Sequence, residues 1–357
     1  MKRFFLRVMV FFVVSLMVFS SMGNSAFAAK EKTLKWRLTT HSLVGTSRFE
    51  NVVKPFCEMV NKLSNGRFII EPYGAGVLFP VFESFGATQN GMVDAMMVYS
   101  GYWAGKDPFF GVAPLGPASP IMTYPEGMYL DSRLFPLFEK AYAKHNLVYL
   151  GTADANTPEF LCSNKPIRSM ADFKGVKIRT SAFGAQMYPL FGASAVSLSG
   201  PEIYTALQTG TIDAAEYTDY EENMNMGLHE VSKYAIEPFL HGGIGEDKPL
   251  VINKKSWDGL SEEFRNIIYA ALDHARYRSS QSGFIDRIIA RKKWAEAGVE
   301  TIVIPEDEVT AIRAAALEFF VDWAKDKPSC QEYIEVYSKT LYELGYEVEA
   351  KALGYNP

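Results

Sequence analysis

Three cysteines in 357 residues, Cys57, Cys162 and Cys330, cannot all pair with one another, so at most one disulfide is available and a disulfide-stapled scaffold is excluded. Cys162, inside an expected strand, reads as a small buried hydrophobe. The five histidines, His41, His145, His229, His241 and His274, show no His-x-x-x-His pair and no Cys-x-x-Cys companion. A zinc site therefore lacks its usual ligand spacing. No Gly-x-Ser-x-Gly nucleophile elbow occurs, and Ser199-Gly200-Pro201 reads instead as a turn leading into a helix. Gly242-Gly243-Ile244-Gly245 has neither the spacing nor the Lys-Ser/Thr of a phosphate loop. Lys/Arg-dense stripes are missing too. With 36 basic and 41 acidic residues and a net charge of −5, the chain has no basic surface with which to displace counterions from nucleic acid.

What is present is an ordinary folded composition, 48% hydrophobic and 22% charged. Single cores stop growing at about 250–300 residues, which makes two lobes the default. Lys2, Arg3 and Arg7 precede an apolar run over 8–19, and Ala26-Phe27-Ala28 supplies small residues before Ala29. That is the pattern of a cleaved signal peptide over 1–28, and the run is short of the roughly 20 residues that span a bilayer. Its removal takes away three positive charges and no acids, which moves the net charge from −5 to −8. A periplasmic location follows from this reading.

Leu34, Trp36 and Leu38 alternate with Lys35 and Arg37, the period-2 mark of a half-buried strand. Apolar residues at helical spacing predict a helix over 47–63, stopped by Asn65-Gly66, then a strand over 67–72, a helix over 81–89 and a strand over 94–99. This β-α-β opening places the protein in the α/β class. The segment Phe85-Gly86-Ala87-Thr88-Gln89-Asn90-Gly91-Met92-Val93-Asp94-Ala95 recurs 119 residues later as Tyr204-Thr205-Ala206-Leu207-Gln208-Thr209-Gly210-Thr211-Ile212-Asp213-Ala214. Each copy reads as a helix, a glycine cap and a strand entered through Asp, so we expect two lobes built alike around a shared cleft. Lobe 1 is expected over 29–152 and lobe 2 over 153–250. Residues 251–357 should add helices to both: a long one over 262–298 capped by Ser261, a strand over 301–304, and helices over 306–325 and 328–344. Its length suggests the long helix as a spine.

The run Lys165-Pro166-Ile167-Arg168-Ser169-Met170-Ala171-Asp172-Phe173-Lys174-Gly175-Val176-Lys177-Ile178-Arg179, with Pro201-Glu202-Ile203 and the second repeat copy, resembles the substrate-binding proteins of tripartite ATP-independent periplasmic (TRAP) transporters. Tyr73-Gly74-Ala75-Gly76 and Gly91-Met92-Val93-Asp94-Ala95 extend the resemblance across the mature chain. It implies a two-lobed binding protein, not an enzyme, that passes a small carboxylate to membrane permease subunits. It also implies that Arg179, at a strand end, grips that carboxylate, and a planar, permanently charged guanidinium suits the task. Ala214-Ala215-Glu216-Tyr217 and Tyr99-Ser100-Gly101-Tyr102-Trp103 look like the branch that binds 2-oxo and 2-hydroxy acids. There the acid and aromatic corresponding to Glu216 and Tyr217 stand beside a metal cation, and Na⁺ or Ca²⁺ would suit such oxygen ligands. The chain departs from that branch with Tyr217 in place of a Trp and no clear Gln in Asp154-Ala155-Asn156-Thr157-Pro158-Glu159. A 2-amino acid, its ammonium against Glu216, stays open beside the 2-oxo and 2-hydroxy acids, as does a sensory role on the same fold. Asn156 and Glu159 are further site candidates. Tyr99, Tyr102, Trp103, Phe109, Phe110 and Tyr217 are aromatics in cleft segments, suited to an aromatic substituent on the acid, while His41 and His241 could donate hydrogen bonds to it.

Overall fold

Alternation at the start of the chain builds β1 (Leu34–Thr40), in which Trp36 and Leu38 are buried and Lys35 and Arg37 exposed. The structure is a computed structural model that describes residues 33–154, 159–245 and 248–357, without the side chains of Ser282 and Phe284. The expected signal peptide and Asn156 lie outside the described residues. A π-helical turn over Phe49–Val53 runs into α1 (Lys54–Leu63), and Asn65 and Gly66 end it in the left-handed region at φ 51° and 78°. The chain returns as β2 (Phe68–Tyr73), then passes through α2 (Ser84–Gln89) to β3 (Ala95–Met97). The helix α3 (Tyr124–Ala143) leads into β4 (Leu147–Thr152).

The chain then crosses to a second sheet made of β5 (Leu161–Ser163), β6 (Lys177–Arg179), β7 (Ser194–Val196), β8 (Ala214–Glu216) and β9 (Tyr234–Glu237). Between these strands lie α4 (Gly184–Leu190), α5 (Gly200–Gln208) and α6 (Tyr220–Asn225). It crosses back at β10 (Pro249–Asn253), so the first sheet has the order β2-β1-β3-β10-β4. After α7 (Lys254–Asp258) and α8 (Glu262–Glu296), β11 (Glu300–Val303) completes the second sheet as β11-β9-β5-β8-β6-β7. The helices α9 (Glu306–Ala324), α10 (Pro328–Glu343) and α11 (Glu347–Ala352) follow. The expected long helix and the strand and helices after it fall within a few residues of these bounds.

The repeat has the same geometry in both copies. β3 runs parallel to β1 and β8 parallel to β6. Asp94 accepts the Arg37 N–H at 2.8 Å while Asp213 accepts the Lys177 N–H at 2.9 Å. Each aspartate thus ties the entry of its own strand to the strand beside it. The spine is also observed: α8 packs on α1 of the first lobe and on α6 of the second. Ser261 caps it by accepting the Phe264 N–H, and near its far end Trp294 donates to the Tyr220 carbonyl beside a Phe160–Tyr220 stack at 3.9 Å. Cys57, Cys162 and Cys330 are all buried and unpaired. Burial raises each thiol's pKa, that of Cys330 to about 12.

A buried ion network joins the lobes beside the crossings. The Arg48 guanidinium, 7% exposed, spans Asp154 at 2.8 Å on the outgoing crossing and Asp219 at 3.0 Å at the start of α6. Lys248, on the returning crossing, reaches Asp154 at 3.2 Å, and the Ser279 hydroxyl of α8 donates to the same carboxylate. Glu222 on α6 accepts the Arg48 backbone N–H at 3.1 Å and the Thr46 hydroxyl at 2.8 Å. Burial raises the Glu222 pKa, against the pull of Arg48 and Lys248.

Removing one member of such a network leaves buried charge uncompensated. Arg48→Met should therefore cost about 3–5 kcal/mol in denaturant unfolding, and a loss below about 1 kcal/mol would show the network to be dispensable. Glu222 should behave oppositely with pH. Its folded pKa lies above the unfolded one, so ionising it withdraws stability as pH rises from the ordinary glutamate range through the raised value. Glu222→Gln should flatten that part of the stability–pH curve.

Candidate functional site

Because β1 and β3 are parallel, and β6 and β8 are parallel, the carboxyl ends of each pair open at one sheet edge. The residues at those ends meet. His41 follows β1, Tyr99 follows β3, Arg179 and Ser181 end β6, and Glu216 and Tyr217 end β8; with Tyr102, Leu115, Glu159 and His241 they line one cavity of about 20 Å³. That volume holds about one water.

Arg179 is 2% exposed, and three of its five N–H groups are committed. Nε donates to the Leu198 carbonyl at 2.9 Å, Nη1 to the main-chain carbonyl of Glu216, and Nη2 to the Tyr102 hydroxyl at 3.3 Å. Its guanidinium carbon stands 5.2 Å from the centre of the Tyr217 ring. No acidic side chain pairs with it among the described residues. The Tyr217 hydroxyl donates to the His41 carbonyl at 3.4 Å, so this contact and the Arg179–Tyr102 bond both bridge the lobes. A Cβ on Gly200 would strike the Tyr217 ring and hydroxyl, so glycine at the start of α5 makes room for that side chain.

Glu216, also 2% exposed, does not touch the Arg179 guanidinium with its carboxylate. Its oxygens accept instead from the Tyr188 phenol, from Thr180 Oγ1 at 3.0 Å, and from His241 Nδ1 at 2.5 Å. Burial, and then the Glu216 charge, hold the Tyr188 pKa well above the usual phenol value, so Tyr188 stays a donor. Gly184 opens α4 where a Cβ would collide with Thr180 Oγ1 and lie 2.9 Å from His241 Nδ1. The two histidines play opposite parts. His41 Nδ1 accepts the Tyr99 N–H at 3.2 Å, which puts the proton of the neutral ring on Nε2. At His241 it is a carboxylate oxygen of Glu216 that faces Nδ1, at 2.5 Å, so an N–H on that nitrogen donates to it.

Of the residues expected at the site, Arg179, Glu216, Tyr217, Tyr99, Tyr102, His41, His241 and Glu159 line the cavity. Trp103 does not: the turn Ser100–Trp103 aims Tyr102 at the cavity and the next residue into the core, against Phe85 at 5.3 Å. Phe109 and Phe110 belong to the same core, against Phe138 and Tyr142. Sequence reasoning missed Thr180 and Tyr188, the partners of Glu216, along with Leu115 and Ser181. Thr180 adjoins Arg179, but nothing in the sequence marks Tyr188 apart from other helical aromatics. Of the expected metal pair, Glu216 accepts from three protein donors and the Tyr217 hydroxyl donates to His41. No three His, Cys, Asp or Glu side chains converge as a metal cluster among the described residues.

Residues 41–326 match the family described as bacterial extracellular solute-binding protein, family 7. The monocarboxylate 2-oxoacid-binding periplasmic protein of Nostoc is 26% identical over 346 residues, which cover 91% of each chain. Among solved structures, a TRAP transporter solute-binding protein of Bordetella bronchiseptica, crystallised with copurified calcium and picolinate, superposes with a TM-score of 0.80 at 21% identity over 88% of this chain and 94% of its own. A TRAP periplasmic solute-binding protein of Pseudoalteromonas atlantica, with bound sodium and pyruvate, superposes with a TM-score of 0.79 at 22% identity over 91% of this chain and 100% of its own.

Tyr188 supplies one of three donors to a buried carboxylate. Tyr188→Phe should lower stability by about 1.5–3 kcal/mol, the worth of a hydrogen bond to a charged group. Urea unfolding reads this directly, and an unchanged midpoint and slope would remove Tyr188 from the account.

Proposed function

The chain belongs to family 7 of the bacterial extracellular solute-binding proteins, and from that premise we propose that it captures a small organic monocarboxylate, a 2-oxo or 2-hydroxy acid, in the periplasm. In this reading residues 1–28 are removed on export, the cleft lies between lobes spanning 29–152 and 153–250, and the loaded protein docks on TRAP-type permease subunits. It binds its ligand and does not transform it. The single observation that carries the reading is Arg179: a buried guanidinium on the cavity wall, with no acidic partner among the described residues and two N–H groups uncommitted. A buried charge of that kind is costly unless an anion completes it, and a carboxylate matches the fork.

The relatives support the ligand class. The Nostoc protein is named for 2-oxoacids, and the Pseudoalteromonas protein holds pyruvate. Calcium and sodium accompany the ligands of the two structural relatives, which is compatible with an ion bridging Glu216 and the ligand here, while the grip on the ligand's carboxylate is assigned to Arg179. Tyr99, Tyr102 and Tyr217 would face the substituent beyond C2. Since the wall comes from both lobes, a ligand touching all of it shifts the population toward the closed form.

Arg179→Ala should weaken calorimetric binding of the best acid at least about 100-fold, the usual consequence of deleting one member of a buried charge pair. Arg179→Lys should fall between, because an ammonium keeps the charge and loses the fork. Unchanged affinity in Arg179→Ala would end the assignment.

A further inference from the structure

Gly242-Gly243-Ile244-Gly245, which lacks the spacing of a phosphate loop, presses on the loop 114–121 from the returning crossing. The Gly243 N–H donates to the Leu115 carbonyl at 2.8 Å, the Ile244 N–H to the Ile121 carbonyl at 2.8 Å, and the Ala118 N–H to the His241 carbonyl at 2.9 Å. The two backbones approach too closely for side chains on the crossing. A Cβ on Gly242 would stand 2.8 Å from Leu115 Cβ, and Cβ atoms on Gly243 and Gly245 would strike the Ile121 and Pro114 carbonyl oxygens. From α10 the Tyr337 hydroxyl donates to the Pro117 carbonyl at 3.4 Å, and Gly116, at φ 71°, leaves that ring its room. The loop is tied by the crossing and by α10, so its side chains have little freedom to move aside.

Leu115 is where this loop meets the cavity. It is the one aliphatic residue among the described residues that line it, and it is 5% exposed, clustered with Tyr99 and Phe239. Tyr102 packs against that cluster, and its hydroxyl accepts from Arg179 Nη2 at 3.3 Å. A single tyrosine side chain thus spans from the guanidinium to the apolar cluster.

We propose that Leu115 is a specificity-determining residue, a fixed apolar stop that limits the ligand to acids with a short, unbranched substituent beyond C2. The proposal rests on the monocarboxylate reading above and narrows it. With the carboxylate on Arg179, the substituent runs along Tyr102 and ends on Leu115. A methyl or ethyl group gains by burial against that side chain. A longer chain has to displace a wall whose backbone is tied, and overpacking of that kind is costly.

The test is a chain-length series, pyruvate, 2-oxobutyrate, 2-oxovalerate and 2-oxohexanoate with the matching 2-hydroxy acids, titrated calorimetrically into the purified protein with Na⁺ and Ca²⁺ present throughout. Affinity should hold for the shorter acids and fall at least about tenfold at the first one too long for the cavity, the usual discrimination for one methylene. Leu115→Ala should move that fall to a longer acid, and Leu115→Phe to a shorter one. Pyruvate binding in Leu115→Ala should change less than that of the longer acids, a split that a general loss of packing does not produce. Leu115→Val, which removes a single methylene, carries the same comparison where Leu115→Ala does not fold. A fall at one unchanged chain length in these variants, or a wild-type protein that binds every length equally, overturns the proposal and leaves the monocarboxylate reading standing. Failure of every acid to bind the wild type overturns the monocarboxylate reading as well.

Discussion

Arg48 is the residue on which the two-lobed arrangement turns. One guanidinium, taken almost completely out of water, is held by Asp154 on the outgoing crossing and by Asp219 at the head of α6. Its backbone N–H reaches Glu222 one turn later. Lys248 and Ser279 close the network from the returning crossing and from the spine helix. Desolvating these charges is expensive, and replacing the set with apolar side chains could be as stable. What a packed apolar joint would lack is direction: each carboxylate accepts only from donors in a narrow range of positions, so the network sets how the crossings, α6 and α8 are oriented where they meet.

The site inherits its order from that joint and from the repeated strand pairs. Because β6 and β8 are hydrogen-bonded neighbours, Arg179 can donate to the main-chain carbonyl of Glu216 and leave its carboxylate alone. Opposite charges on adjacent strands would otherwise neutralise each other and leave little for a ligand. Tyr188, Thr180 and His241 serve the same end by holding the Glu216 carboxylate away from the guanidinium.

Much of the fold was legible because it is local. Alternation at Leu34–Leu38, the stop at Asn65-Gly66 and the cap at Ser261 each depend on neighbours in sequence, and the copies at 85–95 and 204–214 carry the same aspartate to the same task. The helix α3 went unread, with Pro136 set inside it. The site was legible in proportion to how far its residues are tied to strand ends. Arg179, Glu216 and Tyr217 were found through the resemblance and stand on the cavity wall. Tyr102 and Trp103 differ by one residue and face opposite ways, a distinction that a turn of 3₁₀ geometry makes and composition does not. Tyr188 and the Arg48 network were invisible for a different reason. Their partners lie 28 residues away in one case and more than 100 in the other, and only packing brings them together.

The three thiols carry a consequence for how such a chain is made. Cys57 sits on α1, Cys162 on β5 and Cys330 on α10, each sealed in a separate part of the interior with its pKa raised. A chain that folds in an oxidising compartment exposes them only while it is incomplete, and there a wrong disulfide would trap lobes not yet joined. Once the core closes the thiolate is scarce and out of reach. Oxidation therefore competes with folding speed, since the folded protein keeps its three cysteines buried and unpaired.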